Sequence, residues 1–281
     1  MGDALVMGAV AYDAKVVTIW DGFRRWLNGA GLPFDYVLYS HYERQVEDLV
    51  AGRIHAAWNS PLAWIRAQRL ADAAGRTVRA VVMRDTDRDL TSIVVARATG
   101  PVATVADLAG RPVATGAVDS PQATLIPLEH LRQQGITVQA RRFDVGVGLH
   151  GDHIGGERDA VRALLAGEVD AACLLDANHL QFGREGTLAP GSTRIVAQTP
   201  PFDHCNMSVV DLADPGLVTA FVDLLRSMSY ADHQVRPLLD LEGLTRWEDG
   251  RTEGYRLLAD AVDAGGFYDR AGRVTATGYR P

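Results

Sequence analysis

Apolar and polar positions alternate along the chain as short apolar runs followed by longer amphipathic stretches. The pattern of the first passage predicts strands that alternate with helices, at residues 4–11, 16–27, 35–39, 45–51, 54–58 and 61–74. Strands that alternate with helices of this length are typical of α/β domains whose strands run largely parallel.

A second passage repeats this order, with elements predicted at residues 113–116, 123–134, 139–143, 158–166 and 169–175. Residues 46–57 and 161–172 align without a gap, and in both a helix stops at an Ala-Gly pair just before a strand. Gly52 and Gly167 stand where a helix end favours the left-handed conformation. The repetition predicts two lobes of one architecture.

The remaining segments lack the features of a third lobe. A strand is predicted at residues 207–210, with helices at residues 217–229 and 255–262. We expect this section to return to the first lobe, so that lobe I comprises 1–95 plus 200–281 and lobe II comprises 96–199. The two crossings, near residues 92–98 and 195–201, would form a two-strand hinge beside a ligand cleft.

Composition narrows the class of partner. The 281 residues are 47% apolar and 22% charged, with a net charge of −7, so we expect no nucleic acid as partner. No apolar stretch reaches the length of a membrane span, and no signal-peptide pattern begins the chain. These observations predict no membrane insertion and a cytoplasmic protein, or a periplasmic or extracellular one if a leader was removed. The pairing of Cys173 and Cys205 stays open.

Helix N-termini that follow strands supply the candidate ligand site, because they present unpaired N–H groups and a partial positive charge. Lys15, the only lysine, adds a full charge after the first strand. Ser60-Pro61 and Ser120-Pro121 begin helices at equivalent places in the two lobes. Simple helix capping explains each pair equally well when it is taken alone.

The chain resembles the phosphonate-binding-like periplasmic binding proteins of phosphate, phosphite and phosphonate transporters. The resemblance rests on residues 42–52, 57–63, 119–123, 157–171 and 238–255. It implies a type II periplasmic-binding-protein fold, in which each lobe is a mainly parallel sheet flanked by helices, and a small oxyanion between the lobes. The residues that would hold the anion by this resemblance are Tyr12, Ser60, Ser120 and Thr124.

Further residues near the helix N-termini that follow strands are also predicted to bind the ligand. The predicted ligand-binding residues are Tyr12, Lys15, Thr18, Asn59, Ser60, Ser120, Gln122, Thr124 and Asp176. The dense charge run at residues 83–90 is interpreted as a solvated turn with internal ion pairs, although its aspartates could also bind a cation. Trp58, at a strand end, could line the site of an apolar ligand.

One loop, at residues 145–157, differs from the transporter proteins in being rich in residue types that bind metal ions. It carries His150 and His153, and the second crossing carries His204 and Cys205. Imidazole, thiolate and carboxylate groups bind zinc or iron, but the spacing matches no established zinc motif. No cofactor is certain; an Fe or Zn ion is the candidate. The predicted metal ligands are His150, Asp152, His153, Glu157 and His204.

Two functions follow from these observations. The first is a solute-binding or sensing protein that closes on a small anionic molecule such as phosphate or a phosphonate, with a transporter permease as partner only if the chain is exported. The alternative is a cytoplasmic metal-dependent enzyme on the same scaffold. Its catalytic residues are unknown, and the candidates are Lys15, Tyr12, His153 and Cys205. We weigh the two almost equally.

Overall fold

The computed structural model of the chain describes residues 4–144 and 153–280, which form two β-sheets flanked by helices. The strands are β1 (Leu5–Val10), β2 (Phe34–Tyr39), β3 (Ala56–Asn59), β4 (Val78–Arg84), β5 (Ser92–Arg97), β6 (Pro112–Thr115), β7 (Gln139–Arg142), β8 (Ala171–Leu175), β9 (Thr193–Gln198), β10 (Asn206–Val210) and β11 (Trp247–Asp249). The helices are α1 (Lys15–Gly29), α2 (Tyr42–Val50), α3 (Pro61–Ala73), α4 (Ile126–Gln133), α5 (His153–Ala166), α6 (Asp176–Arg184), α7 (Pro215–Ser227), α8 (Arg236–Glu242) and α9 (Arg256–Gly265).

The first sheet has the order β11-β4-β10-β3-β1-β2, and the second has the order β7-β6-β8-β5-β9. In the first, β10 pairs antiparallel with both β3 and β4, while β1 pairs parallel with β2 and β3. In the second, β5 pairs antiparallel with both β8 and β9. Most strands of each sheet share one direction; β10 and β11 run against the others in the first sheet, and β5 does so in the second. The two sheets are the centres of lobe I and lobe II, so the predicted two-lobed α/β fold is confirmed.

The packing follows from the apolar faces of the helices. Trp20 and Phe23 of α1, Phe221 of α7 and Trp247 of β11 are almost fully buried against the first sheet. The aromatic rings of Phe34 and Phe221 stack with their centroids 5.6 Å apart. Val94 belongs to β5, the strand between β8 and β9, and is one of the buried residues that form the core of the second sheet. Each lobe therefore has its own core.

A third apolar cluster joins the lobes. It contains Trp64 of α3, Ile126 of α4, Phe202, Tyr255 and Tyr279 among its buried members. Because α3 belongs to lobe I and α4 to lobe II, this cluster brings the N-terminal ends of two equivalent helices into one neighbourhood. The C-terminal segment closes it, since the Tyr279 hydroxyl donates to Glu43 Oε1 at 2.8 Å.

The chain crosses between the lobes at residues 88–91 and 199–205. Leu90 and Phe202 exchange two backbone hydrogen bonds of 2.8 Å, and the Arg251 side chain donates to both Asp203 and Asp89. Asp203 is 1% exposed, so this ion pair is built into the hinge.

The crossing predicted near residues 92–98 falls after residues 88–91, and the one predicted near residues 195–201 begins too early but overlaps the connection at residues 199–201. Residues 92–97 and 193–198 are instead β5 and β9, which pair with each other inside the second sheet. An apolar run can be a connector or a buried strand, and only its pairing partners distinguish the two. The limits given for the two lobes stay a prediction, and the limit between residues 95 and 96 falls inside β5.

Candidate functional site

Polar and aromatic side chains of lobe I gather where its strands end. Tyr12 follows β1, Ser60 follows β3, Arg84 ends β4, and Cys205 lies just before β10. Because β10 runs antiparallel to β3 and β4, its first residues lie at the carboxyl ends of those strands. Ligands of open α/β sheets bind outside this edge.

Arg84 is the centre of the lobe I group. Its guanidinium lies 5.3 Å from the ring centre of Trp58, donates to both carboxylate oxygens of Asp87 at 2.5 and 2.9 Å, and donates to the Glu242 backbone oxygen at 2.7 Å. Burial works against the Asp87 carboxylate, but Arg84 outweighs it and lowers the pKa of Asp87 to about 2. Burial raises the pKa of Glu242 to about 7 in spite of Arg84. The charge of this guanidinium is therefore already matched by Asp87.

His204 and Cys205 lie beside this pair. His204 Nδ1 is 3.2 Å from Cys205 Sγ and 3.5 Å from an Asp87 carboxylate oxygen. Burial disfavours the imidazolium, but Cys205 and Asp87 outweigh that effect and raise the pKa of His204 to about 10. The lobe I edge thus contains a compact group of an imidazole, a thiol and a carboxylate.

Two tyrosines stand beside this group. Burial, and after it the negative charge of Glu242, raise the pKa of Tyr12 to about 12, although its side chain is 54% exposed overall. Burial also raises the pKa of Tyr42, at the start of α2, with Cys205 and Tyr12 as the next contributors. Both hydroxyls therefore remain protonated hydrogen-bond donors at neutral pH.

The lobe II side is built on a π-helical turn, Pro121–Leu125, that continues into α4. Ser120 caps this turn by accepting a hydrogen bond from Ala123 N–H at 3.2 Å. A hydroxyl that accepts one bond keeps its own proton to donate. The Thr124 hydroxyl and the Gln122 side-chain oxygen are buried without a partner among the described residues. Buried polar atoms of this kind are uncommon and call for an explanation such as a ligand.

Glu157 of α5 supports this turn from behind. Its carboxylate accepts hydrogen bonds from the Leu175 backbone N–H at 3.0 Å, from Asn178 at 2.8 Å and from Gln122 at 3.3 Å. Burial nevertheless raises its pKa to about 7, and the positive charge of His204 opposes the rise.

The structure separates the predicted ligand residues into two groups. Ser60 caps α3 by accepting from Ala63 N–H at 3.2 Å, as Ser120 does in lobe II. Asn59 was predicted as a ligand residue, but it is fully buried and bonded to Gln45 and Ser208, so it supports the core. Asp176 accepts from the Thr91 hydroxyl at 2.7 Å beside the hinge.

Lys15 and Thr18 lie on the exposed part of α1. The Lys15 ammonium is 5.9 Å from the ring centre of Tyr12, and its charge lowers the pKa of Glu242 slightly against the effect of burial. Lys15 therefore lies at the rim of the lobe I group. Thr18, one helical turn further along, has no described contact with that group.

The structure describes three of the five predicted metal ligands, and the metal set stays a prediction. Glu157 is occupied by three neutral donors, and His204 pairs with Asp87 and Cys205 instead. His153 is the first residue of α5. His150 and Asp152 lie outside the described residues. Cys173 and Cys205 are both free thiols, in β8 of lobe II and before β10 of lobe I respectively.

Sequence reasoning missed three contributors: Arg84, Tyr42 and Glu242. It also described Asp87 as part of a solvated turn, whereas Asp87 is 2% exposed. One internal ion pair of this run exists, between Arg84 and Asp87, whereas Asp89 pairs with Arg251 outside the run. An arginine directly at the end of a buried strand, followed by an aspartate, was the available signal.

Comparison with known proteins agrees with this architecture. A two-lobed α/β fold with a polar cleft between mixed sheets defines the type II solute-binding class. Residues 7–255 match the family model described as the periplasmic phosphonate substrate-binding protein of an ABC transporter. The chain belongs to this phosphonate-binding family. The resemblance and the solute-binding class inferred from the sequence are confirmed.

Solved structures show the same fold. PhnD1 from Prochlorococcus marinus, determined with methylphosphonate, has a TM-score of 0.67 and 14% identity, covering 93% of this chain and 97% of its own. A binding-protein component of a phosphonate transporter from Pseudomonas aeruginosa has a TM-score of 0.59 and 12% identity, with 91% and 83% covered. The sulphonate-binding protein SsuA from Escherichia coli has a TM-score of 0.51 and 18% identity, with 94% and 84% covered. No curated protein matches the sequence significantly.

Proposed function

We propose that the protein binds a small tetrahedral oxyanion, a phosphonate or phosphate, between its lobes, with the Pro121–Leu125 turn as the principal anchor. The observation that carries this proposal is the buried Thr124 hydroxyl in this turn, which has no partner among residues 4–144 and 153–280. A helix N-terminus favours negative charge, and a hydroxyl there can donate to an anionic oxygen. Membership in the phosphonate-binding family supports the same ligand class.

The remaining ligand contacts come from both sides of the cleft. Ser120 and Ser60 keep a hydroxyl proton after capping their helices, and Tyr12 keeps a protonated phenol at neutral pH. Lys15 adds positive charge at the rim. Thr18 and Asp176 have weaker support, because Thr18 is exposed and Asp176 already bonds Thr91.

The cellular setting belongs to the proposal as well. The family description places its members in the periplasm as partners of an ABC transporter. No helix within residues 4–144 and 153–280 has the length and apolarity needed to cross a membrane. We propose that an exported form delivers its anion to a permease, while the cytoplasmic location stays a prediction. The metal-dependent enzyme remains the alternative function.

Calorimetric titration tests the proposal directly. Purified protein is titrated with methylphosphonate, phosphate, sulfate and chloride. We expect methylphosphonate or phosphate to bind with one molecule per chain, and to raise the unfolding temperature because only the native state binds it. Absence of both binding heat and thermal stabilisation with all four anions would overturn the proposal. Phosphorus NMR after incubation with methylphosphonate should show an unchanged compound; a new resonance would favour the enzyme.

A further inference from the structure

Asp87, His204 and Cys205 form a cluster that anion binding does not require. One donor atom from each of the three residues can be chosen so that all three lie within 4.8 Å of one another. Cys205 Sγ and His204 Nδ1 are 3.2 Å apart, and Nδ1 is 3.5 Å from Asp87 Oδ1. Asp87 comes from the first hinge segment, and His204 and Cys205 come from the second.

These separations suit a tetrahedral metal ion. Zinc binds thiolate sulfur at about 2.3 Å and imidazole nitrogen or carboxylate oxygen at about 2.0–2.2 Å. Two such ligands of one tetrahedral ion are then about 3.3–3.6 Å apart. The two measured separations lie at or near that range. Thiolate, imidazole and carboxylate together also favour a borderline-soft ion over Mg²⁺ or Ca²⁺.

The three donors are held in place before any ion arrives. The backbone N–H of His204 donates to the Asp87 carbonyl at 2.8 Å, which fixes the two hinge segments to each other. Arg84 donates to Asp87 Oδ2 at 2.5 Å and to Oδ1 at 2.9 Å, so a metal on Oδ1 would share that oxygen with Arg84 while Oδ2 keeps its hydrogen bond. Carboxylate ligands of metal sites usually have such an outer partner.

The cluster is largely buried, and His204 is its most exposed member. Asp87 and Cys205 are 2% and 8% exposed, whereas the His204 side chain is 23% exposed. Cys205 lies just before β10, at the carboxyl ends of β3 and β4. The cluster therefore lies at the same edge of the sheet as Tyr12, which follows β1.

We propose that Asp87, His204 and Cys205 bind one divalent ion of the zinc class, with the fourth coordination position directed into the cleft. The site differs from the metal set expected from the sequence, with which it shares only His204. The ion replaces protons held on Nδ1 and Sγ, which pass to solvent. Three protein ligands with one open position are the arrangement that lets zinc accept water or a ligand oxygen.

The test uses the full chain, freed of metal by a chelator and then dialysed. Zinc alone is added in a calorimetric titration, and cobalt is added in a parallel absorption experiment. We expect one zinc ion per chain and a sulfur-to-cobalt charge-transfer band, which requires a thiolate ligand. Cys205→Ser should abolish that band, and Cys205→Ser and His204→Gln should each weaken zinc binding by more than about 100-fold.

Cys173→Ser is the matched control, because Cys173 is a buried free thiol in lobe II. It should bind zinc and cobalt as the wild type does. Thermal unfolding without metal shows that each variant is folded. On zinc addition the wild type and Cys173→Ser should gain unfolding temperature, and Cys205→Ser and His204→Gln should not. Zinc binding that is absent in the wild type, or retained in Cys205→Ser, would overturn the proposal.

This outcome is separate from anion binding. Methylphosphonate is titrated in the presence of chelator to test the lobe II anchor, and zinc is titrated without any phosphonate to test the cluster. A failure of zinc binding with intact phosphonate binding rejects the metal site alone. The reverse result rejects the proposed function and keeps the metal site.

Discussion

The two sides of the cleft differ in how fully their polar groups are already paired. On lobe I, Arg84 is bonded to Asp87 and Glu242, and His204 lies against Asp87 and Cys205. On lobe II, the Thr124 hydroxyl and Gln122 Oε1 have no partner in the part of the chain that the structure describes. The charged groups around Arg84 are thus paired with one another, whereas the lobe II turn has hydrogen-bonding capacity left over; among the described residues, Trp247 Nε1 and Gln45 Oε1 of lobe I also have no partner.

This difference indicates where a ligand gains binding free energy. An anion that bonds a satisfied group must first replace an existing partner, whereas one that bonds a buried orphan adds an interaction where the cost of desolvation has already been met. This difference supports our proposal that lobe II holds the oxyanion and that lobe I sets the charge and shape of the opposite wall. The apolar cluster around Trp64 and Ile126 keeps the two walls together.

The largest expected effect comes from breaking the lobe I pairing. Arg84→Met keeps the apolar stem beside Trp58 and removes the guanidinium that bonds both oxygens of the buried Asp87. The loss should approach the cost of breaking a buried ion pair, about 3–5 kcal/mol, reduced by the charge of His204, which stays 3.5 Å from Asp87. Urea unfolding measures the loss. Arg226→Met is the control, because Arg226 and Asp249 form an exposed pair, and its change should stay within about 0.5 kcal/mol. Equal losses in the two variants would contradict a buried, fully paired lobe I group.

The second prediction concerns the buried glutamate of lobe II. The pKa of Glu157 is raised from 4.5 to about 7 by burial, so the unfolded chain releases this proton at lower pH than the native protein does. The native state binds more protons between these values, and stability falls as pH rises from about 4.5 to 7. Glu157→Gln should remove this pH dependence. The unfolding free energy of the variant relative to the wild type should therefore rise by up to about 3 kcal/mol between pH 4 and pH 8.

Gln122 can accommodate the amide that Glu157→Gln introduces. Its side-chain oxygen has no partner among the described residues and can accept a hydrogen bond from that amide. Unfolding free energies measured at pH 4, 6 and 8 give the slope. Glu242→Gln, the corresponding buried carboxyl of lobe I, should remove a similar slope, since the pKa of Glu242 is also raised to about 7. Glu168→Gln, at an exposed position, should retain the wild-type pH dependence. A wild-type slope in Glu157→Gln would contradict the account.

The smallest expected effect compares the two equivalent caps. Ser60→Ala and Ser120→Ala each remove a hydroxyl that accepts one N–H of its helix, and each should cost about 1 kcal/mol of stability. Methylphosphonate affinity should fall further for Ser120→Ala, because its hydroxyl lies in the anchoring turn. A greater loss of affinity for Ser60→Ala would place the anion on lobe I instead.

The repeated strand–helix order allowed the fold to be predicted. Gly52 and Gly167 end their helices with φ of +71° and +81°, as the aligned Ala-Gly pairs predicted. The second lobe's Ser-Pro turn was also found, because a serine before a proline marks a helix start. What failed was the assignment of β5 as a connector, since strand pairing depends on residues some eighty positions away.

The lobe I group was hidden for the same reason. Asp87 reads as a solvated residue in a charged run, and only the approach of Glu242 and His204 from distant segments buries it. Asn59 is the opposite case, because a residue predicted to contact the ligand is buried in the core. Its position after a strand suggested a ligand contact, but Gln45 and Ser208 enclose it. Local patterns locate helix starts, while burial is decided by long-range packing.

The most direct test of the lobe II anchor is the affinity of Thr124→Val for methylphosphonate. Valine matches threonine in shape and removes only the unpartnered hydroxyl, so the unfolding temperature should be unchanged or raised. Calorimetry should show affinity reduced by about 10- to 100-fold, as for loss of a hydrogen bond to a charged group. Thr219→Val, on exposed α7, should bind as the wild type does. Wild-type affinity in Thr124→Val would contradict the account.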